Sequence, residues 1–141
     1  MNNSSNKKIH KRLLIALLLV AITAGGVFMF SMLGKSQEER RNREYEVSLV
    51  NALKNSYEGI EEITITNPDY TNPPGSWSCD VEIKFIDEKT FKYGINHHLS
   101  YKTNYGGRQE TNEDWQYLET HKGKTLKSVK ITYSDYGQGE Q

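Results

Sequence analysis

Between Arg12 and Gly34 the chain runs for 21 residues without a charge, LLIALLLVAITAGGVFMFSML from Leu13 to Leu33. As a helix this segment is about 31 Å long, close to the ~30 Å hydrocarbon core of a bilayer. Twelve of its residues are Leu, Ile, Val or Phe, and together they favour insertion by about 5 kcal/mol. The segment therefore reads as a transmembrane helix. A cleaved signal peptide would carry a shorter apolar region and a small-residue cleavage site. Ala24-Gly25-Gly26 offers such a site, but cutting there leaves VFMFSML as an exposed apolar terminus. A lipoprotein needs its cysteine at the end of the apolar run, whereas Cys79 lies far downstream.

Lys7, Lys8, Lys11 and Arg12 crowd the N-terminal flank, and Lys35 is the basic residue nearest the other end. Positive charge favours the cytoplasmic side. The expected layout is a cytoplasmic tail over 1–12, a single membrane span over 13–33, a charged helical stalk over 34–44, an extracytoplasmic α+β domain over 45–136 and a frayed tail over 137–141. All 18 acidic residues and 14 of the 18 basic ones follow the span, so the outer region carries about −4. That balance argues against nucleic acid, which calls for a basic patch. One cysteine cannot close an internal disulfide.

From Ser36 to about Tyr57, apolar residues fall at Tyr45, Leu49, Ala52, Leu53 and Tyr57, the spacing of one helical face, and Gly59 stands just past the expected end. The first half, SQEERRNRE, is polar all round and reads as solvated. After Gly59 the period becomes two. EEITIT places Ile63 and Ile65 together, and NPDYTNPPGS reads as a punctuated loop. GSWSCDVEIKF then alternates five times, and Phe91, Tyr93 and Ile95 return after the turn DEKT. One face of this hairpin holds Trp77, Cys79, Val81, Ile83 and Phe85, and the other shows Asp80, Glu82, Lys84 and Lys92. An antiparallel sheet covered on a single face needs such alternation. Cys79 accordingly reads as a small buried hydrophobe.

Further on, TNEDWQYLETHKG suggests a short helix capped by Thr111 or Asn112, and TLKSVKITYSDY a last strand with Val129, Ile131 and Tyr133 inward. The expectation is α+β: a long amphipathic helix packed on a four- to five-stranded antiparallel sheet, as in cystatin-like and NTF2-like folds.

The chemistry-bearing residues are sparse. His97 and His98 are adjacent, so on a strand they point to opposite faces, and His121 is the remaining histidine of the outer region. Without a spaced Cys or His motif these read as surface histidines rather than metal ligands. Asp87-Glu88 and Glu113-Asp114 fit a turn and a helix start. Gly106-Gly107 does not open a phosphate loop. Nothing here implies a catalytic residue, a cofactor or a metal. Tyrosine and tryptophan, by contrast, are enriched where proteins meet partners, and Tyr101, Tyr105, Trp115 and Tyr117 lie in the loop-rich final third. They are the candidate partner-binding residues.

An apolar anchor and a charged helix, then NSYEGIEEITIT followed by GSWSCDVEI, resemble small single-pass membrane-anchored proteins of low-GC Gram-positive bacteria. The likeness runs from Asn51 to about Asn96 and implies a cell-envelope setting; it brings no catalytic residues with it. The expected function is that of a membrane-tethered, extracytoplasmic protein-binding module, either an immunity-type inhibitor or an accessory envelope protein. The alternatives are a bitopic subunit of a conjugation or secretion complex and, behind it, a hydrolase using His97 or His98.

Overall fold

The computed structural model describes residues 36–108 and 111–141. The expected cytoplasmic tail and membrane span lie outside the described residues, and among those described no helix is long and apolar enough to cross a membrane.

Ser36 caps the first helix, its hydroxyl accepting from the Glu39 N–H at 3.2 Å, and α1 follows over Gln37–Ser56. Glu38 and Glu39 in the first turn and Lys54 in the last suit the helix dipole. The face anticipated from the spacing is buried: Tyr45, Leu49, Ala52, Leu53 and Tyr57 all lie in the core, joined by Val50. The chain then forms β1 (Ile60–Thr71), β2 (Ser76–Phe85), β3 (Thr90–His97), α2 (Asn112–Thr120), β4 (Lys130–Thr132) and β5 (Gln138–Glu140). The sheet order is β3-β2-β1-β4-β5.

The alternation of β2 and β3 is realised as read. Trp77, Cys79, Val81, Ile83, Phe85, Phe91, Tyr93 and Ile95 are buried beneath α1. Register sets like against like: Ile83 faces Ile63 on one side and Phe91 on the other. Tyr45 of α1 stacks on Trp77 with centroids 5.2 Å apart.

The fold class is α+β, but the sheet is mixed rather than wholly antiparallel. β4 pairs with β1 in parallel, Ile131 opposite Ile63. A hairpin turn cannot make that pairing; parallel neighbours need a long crossover. Residues 98–129, including α2, supply it by carrying the chain from the β3 edge to the far side of β1.

Three boundaries also differ from the reading of the sequence. The loop expected from Asn67 is strand as far as Thr71, because an irregularity between Thr66 and Asp69 absorbs the Asn67-Pro68 step, with Asn67 at φ 52. The stalk is not solvated throughout. From Arg41 onward it belongs to the domain: the Arg41 guanidinium lies 4.2 Å over the Tyr70 ring, Asn42 accepts from the Trp77 indole N–H at 3.2 Å, and Arg43 is buried. The tail expected to fray forms β5, since its backbone pairs with β4 and the Gln141 N–H and C=O both bond Val129. Short polar strands of this kind are held by backbone pairing, which leaves no side-chain period to read.

Candidate functional site

His97 ends β3, and the alternation that buries Tyr93 and Ile95 buries it as well. Its expected surface position is thereby corrected; His98, one residue on, is exposed. The His97 Nε2 lies 2.9 Å from Ser48 Oγ on α1, and its Nδ1 3.1 Å from Asn104 Nδ2 in the following loop. A serine, a histidine and an amide in line resemble a nucleophile, a base and an orienting group, so the proton positions decide what the trio can do.

The Asn104 amide is fixed by its other partners. Its Oδ1 accepts from the Gly106 N–H at 3.0 Å, and its Nδ2 donates to the Asn96 carbonyl at 2.8 Å. Nδ2 is therefore the atom facing His97, and it donates to Nδ1. The imidazole proton then sits on Nε2 and is donated to Ser48 Oγ. In this tautomer Nε2 cannot take the Ser48 proton, so the trio does not activate the hydroxyl. Burial, and then the neighbouring His98, lower the His97 pKa to about 4, which keeps the ring neutral. Further tying the loop to the helix, the Asn104 N–H donates to Ser56 Oγ at 2.7 Å.

A second buried polar group joins α1 to the turn between β4 and β5. Glu46 accepts from the Ser134 N–H at 2.6 Å and the Ser134 hydroxyl at 3.0 Å. Burial raises its pKa, and the Ser134 bonds and Arg43 offset this in part. The Arg43 guanidinium pairs with Asp135 and lies 3.8 Å over the Tyr133 ring. Cys79 is buried nearby in the sheet, its thiol pKa pushed up by burial and then by the charges of Glu46 and Asp80.

An opening with mixed chemistry lies at the β3 edge. A cleft of about 790 Å³ is lined by Asn67, Asp80, Gly94, Tyr101, Tyr105 and Arg108, among others. Asn67 holds Asp80 at 2.8 Å, and the Arg108 N–H bonds the Gly94 carbonyl at 3.0 Å, anchoring the loop to the strand. Gly107 lets that loop pass, since a Cβ there would lie 2.4 Å from the Tyr93 ring.

Of the four aromatic residues singled out from the sequence, the structure brings two together. Tyr101 and Tyr105 line this cleft, 53% and 49% exposed. Trp115 is also exposed, but on α2, away from it. Tyr117 is half-buried, its ring 4.7 Å from Phe91 and stacked 3.8 Å from His121, and its hydroxyl donates to Asp87 at 2.8 Å. These contacts make Tyr117 part of the satellite core under α2. Asn104 and Arg108 were not anticipated; the Gly106-Gly107 pair beside them was the one local signal that the backbone comes close to something there. Among the described residues no three His, Cys, Asp or Glu side chains converge as a metal site would require.

No family model, no curated protein and no solved structure matches the chain.

Proposed function

We propose that the chain is a single-pass, membrane-tethered protein-binding module, its N-terminus cytoplasmic and its α+β domain extracytoplasmic, acting as an immunity-type inhibitor or an accessory envelope protein. The tether supports this reading by holding the domain at high effective concentration beside partners of the same membrane. The cystatin-like or NTF2-like resemblance of a helix laid on one sheet face belongs to the same proposal.

The observation that carries it is the pairing of Tyr101 and Tyr105, both about half exposed, on a cleft whose polar side chains include a carboxylate and a guanidinium. Half-exposed tyrosines beside charged and polar side chains are the composition of a contact surface. The hydrolase alternative loses support from the proton arrangement at His97, where the ring donates to Ser48 rather than accepting from it.

The test is recovery of the full chain from native membranes after cross-linking, with the parent compared to a Tyr101→Ala/Tyr105→Ala double variant. A partner present with the parent and lost with the variant is the expected result. Recovery of a multi-subunit assembly, unchanged in the variant, would favour the bitopic structural subunit instead.

A further inference from the structure

We infer that His97 and Asn104 form a proton-operated latch: a proton added at His97 Nδ1 unfastens residues 98–108 and frees the two tyrosines that wall the cleft. This names a regulation of the proposed contact surface and rests on that reading of the cleft.

The two ends of the His97 ring respond differently to a proton. Nε2 donates to Ser48 Oγ whether the ring is neutral or charged, so the α1 side is indifferent. Nδ1 accepts only while it carries no proton. It takes a hydrogen from Asn104 Nδ2 at 3.1 Å, and once protonated it would meet that amide donor to donor. Turning the Asn104 amide over does not rescue the junction. Oδ1 would then face the Asn96 carbonyl, which now accepts from Nδ2 at 2.8 Å, and Nδ2 would face the Gly106 N–H, which now donates to Oδ1 at 3.0 Å. Either orientation of the amide costs hydrogen bonds that hold the segment.

Little else holds it. Of residues 98–108 only Asn104 is buried. Its side chain ties the segment to β3, and its backbone N–H ties it to α1 by donating to Ser56 Oγ at 2.7 Å. The other ties are polar: Asn55 Nδ2 to the Lys102 carbonyl at 3.1 Å, and the Arg108 N–H to the Gly94 carbonyl at 3.0 Å. A segment with so few buried contacts opens at low cost. Tyr101 rests on the latch, its ring 5.9 Å from that of His97 and 5.6 Å from that of His98. Tyr105 follows Asn104 directly.

The surroundings decide when the proton enters. Burial opposes a charge on His97, and a charge on the adjacent His98 opposes it further. The loop adds Tyr101 and the exposed Lys102, α1 adds the exposed Glu44 one turn before Ser48, and β2 sets the uncharged Trp77 opposite His97. Among the described residues no carboxylate bonds the ring, whose polar contacts are Ser48 and Asn104. The latch therefore stays shut at neutral pH and opens as pH falls through about 4.

The test is an NMR titration of the isotope-labelled full chain in detergent micelles, from about pH 7 down to about 3.5. At neutral pH the His97 ring should carry its proton on Nε2. On acidification the Asn104 side-chain amide and the Gly106 N–H should shift with the midpoint of the His97 ring, while the Trp77 indole signal stays native. Asn104→Asp offers protonated Nδ1 an acceptor and should raise the proton affinity of the ring by roughly tenfold or more. A proton on Nδ1 at neutral pH, an Asn104 amide unmoved while His97 titrates, loop signals that move only when Trp77 does, or an unchanged His97 midpoint in Asn104→Asp would each overturn the latch. The titration contains no partner, so a failed latch leaves the cleft to be judged by cross-linking, and a failed cross-link leaves the latch to be judged here.

Discussion

Nη2 of Arg43 lies 2.7 Å from both carboxylate oxygens of Asp135, a residue 92 positions further along the chain. The arginine side chain is 4% exposed and the aspartate 27%. Removing the arginine takes this bidentate contact from a partly buried carboxylate and strips the guanidinium from the Tyr133 ring. Arg43→Ala should therefore destabilise the domain by about 2 to 3 kcal/mol, below the cost of breaking a fully buried pair because Asp135 keeps some water. Urea unfolding of the 36–141 fragment measures it. A change under half a kcal/mol would return Arg43 to the solvated stalk expected from sequence.

The neutral His97 makes stability depend on pH in a defined direction. Its folded pKa of about 4 lies below the ordinary value of 6.5, so between these limits the unfolded chain binds a proton that the folded chain refuses. Its contribution is fully present above pH 6.5 and is lost as pH falls toward 4, by at most about 3 kcal/mol. Glu46 acts in the opposite sense. Its pKa is raised, so its contribution is present below 4.5 and declines as pH rises through the folded value. His97→Gln should cost stability at neutral pH and flatten the decline between pH 6.5 and 4. Unfolding midpoints across that range read the slope, and an unchanged slope in the variant would place the titration elsewhere.

What the sequence makes legible is what local periodicity controls. The helical face from Tyr45 to Tyr57 and the alternation from Trp77 to Phe85 each bury as their spacing requires, because one face of each element must leave water. Parallel pairing of Ile131 with Ile63 depends on a crossover, and no short window encodes where a crossover lands. β5 stayed hidden because GQGEQ carries no apolar side chain to give a period. At the candidate site, aromatic content marked Tyr101 and Tyr105 but equally marked Tyr117, whose burial follows from Phe91 and Asp87, both distant from it in sequence, as well as from His121 one helical turn on.

Cys79 should behave as a buried hydrophobe. The thiol is 4% exposed and its pKa is pushed up by burial, so little thiolate forms at neutral pH and what forms is shielded. A membrane-impermeant maleimide should leave native protein unlabelled and label it fully after denaturation. Rapid native labelling would mean that β2 opens or that the thiol faces the cleft.

The two faces of β2 can be separated by neighbouring substitutions. Ile83 is fully buried between Ile63 and Phe91, whereas Lys84 points to the open face. Ile83→Ala should cost about 2 to 5 kcal/mol through lost transfer energy and the cavity left behind, and Lys84→Ala about half a kcal/mol or less. Equal effects in denaturant unfolding would mean that both faces are covered.

Gly107 tests whether the loop that carries Tyr101, Tyr105 and Arg108 must lie where it does. Its φ of 116 is disfavoured for any residue with a side chain, and an added Cβ would sit 2.4 Å from two atoms of the buried Tyr93 ring and 3.3 Å from the Gly94 carbonyl. Tyr93 is held on the covered face of β3 opposite Val81, so it cannot step aside without disturbing the core. The loop must move instead, and moving it breaks the Arg108 N–H bond to Gly94 that fixes the cleft. Gly107→Ala should therefore destabilise the domain by about 1 to 3 kcal/mol and release that edge of the sheet. Hydrogen exchange at the Arg108 amide distinguishes the two effects: it should accelerate well beyond what the global loss of stability explains. Exchange that tracks global stability alone would mean that the loop and the core yield together, and that the cleft is not separately hinged on Gly107.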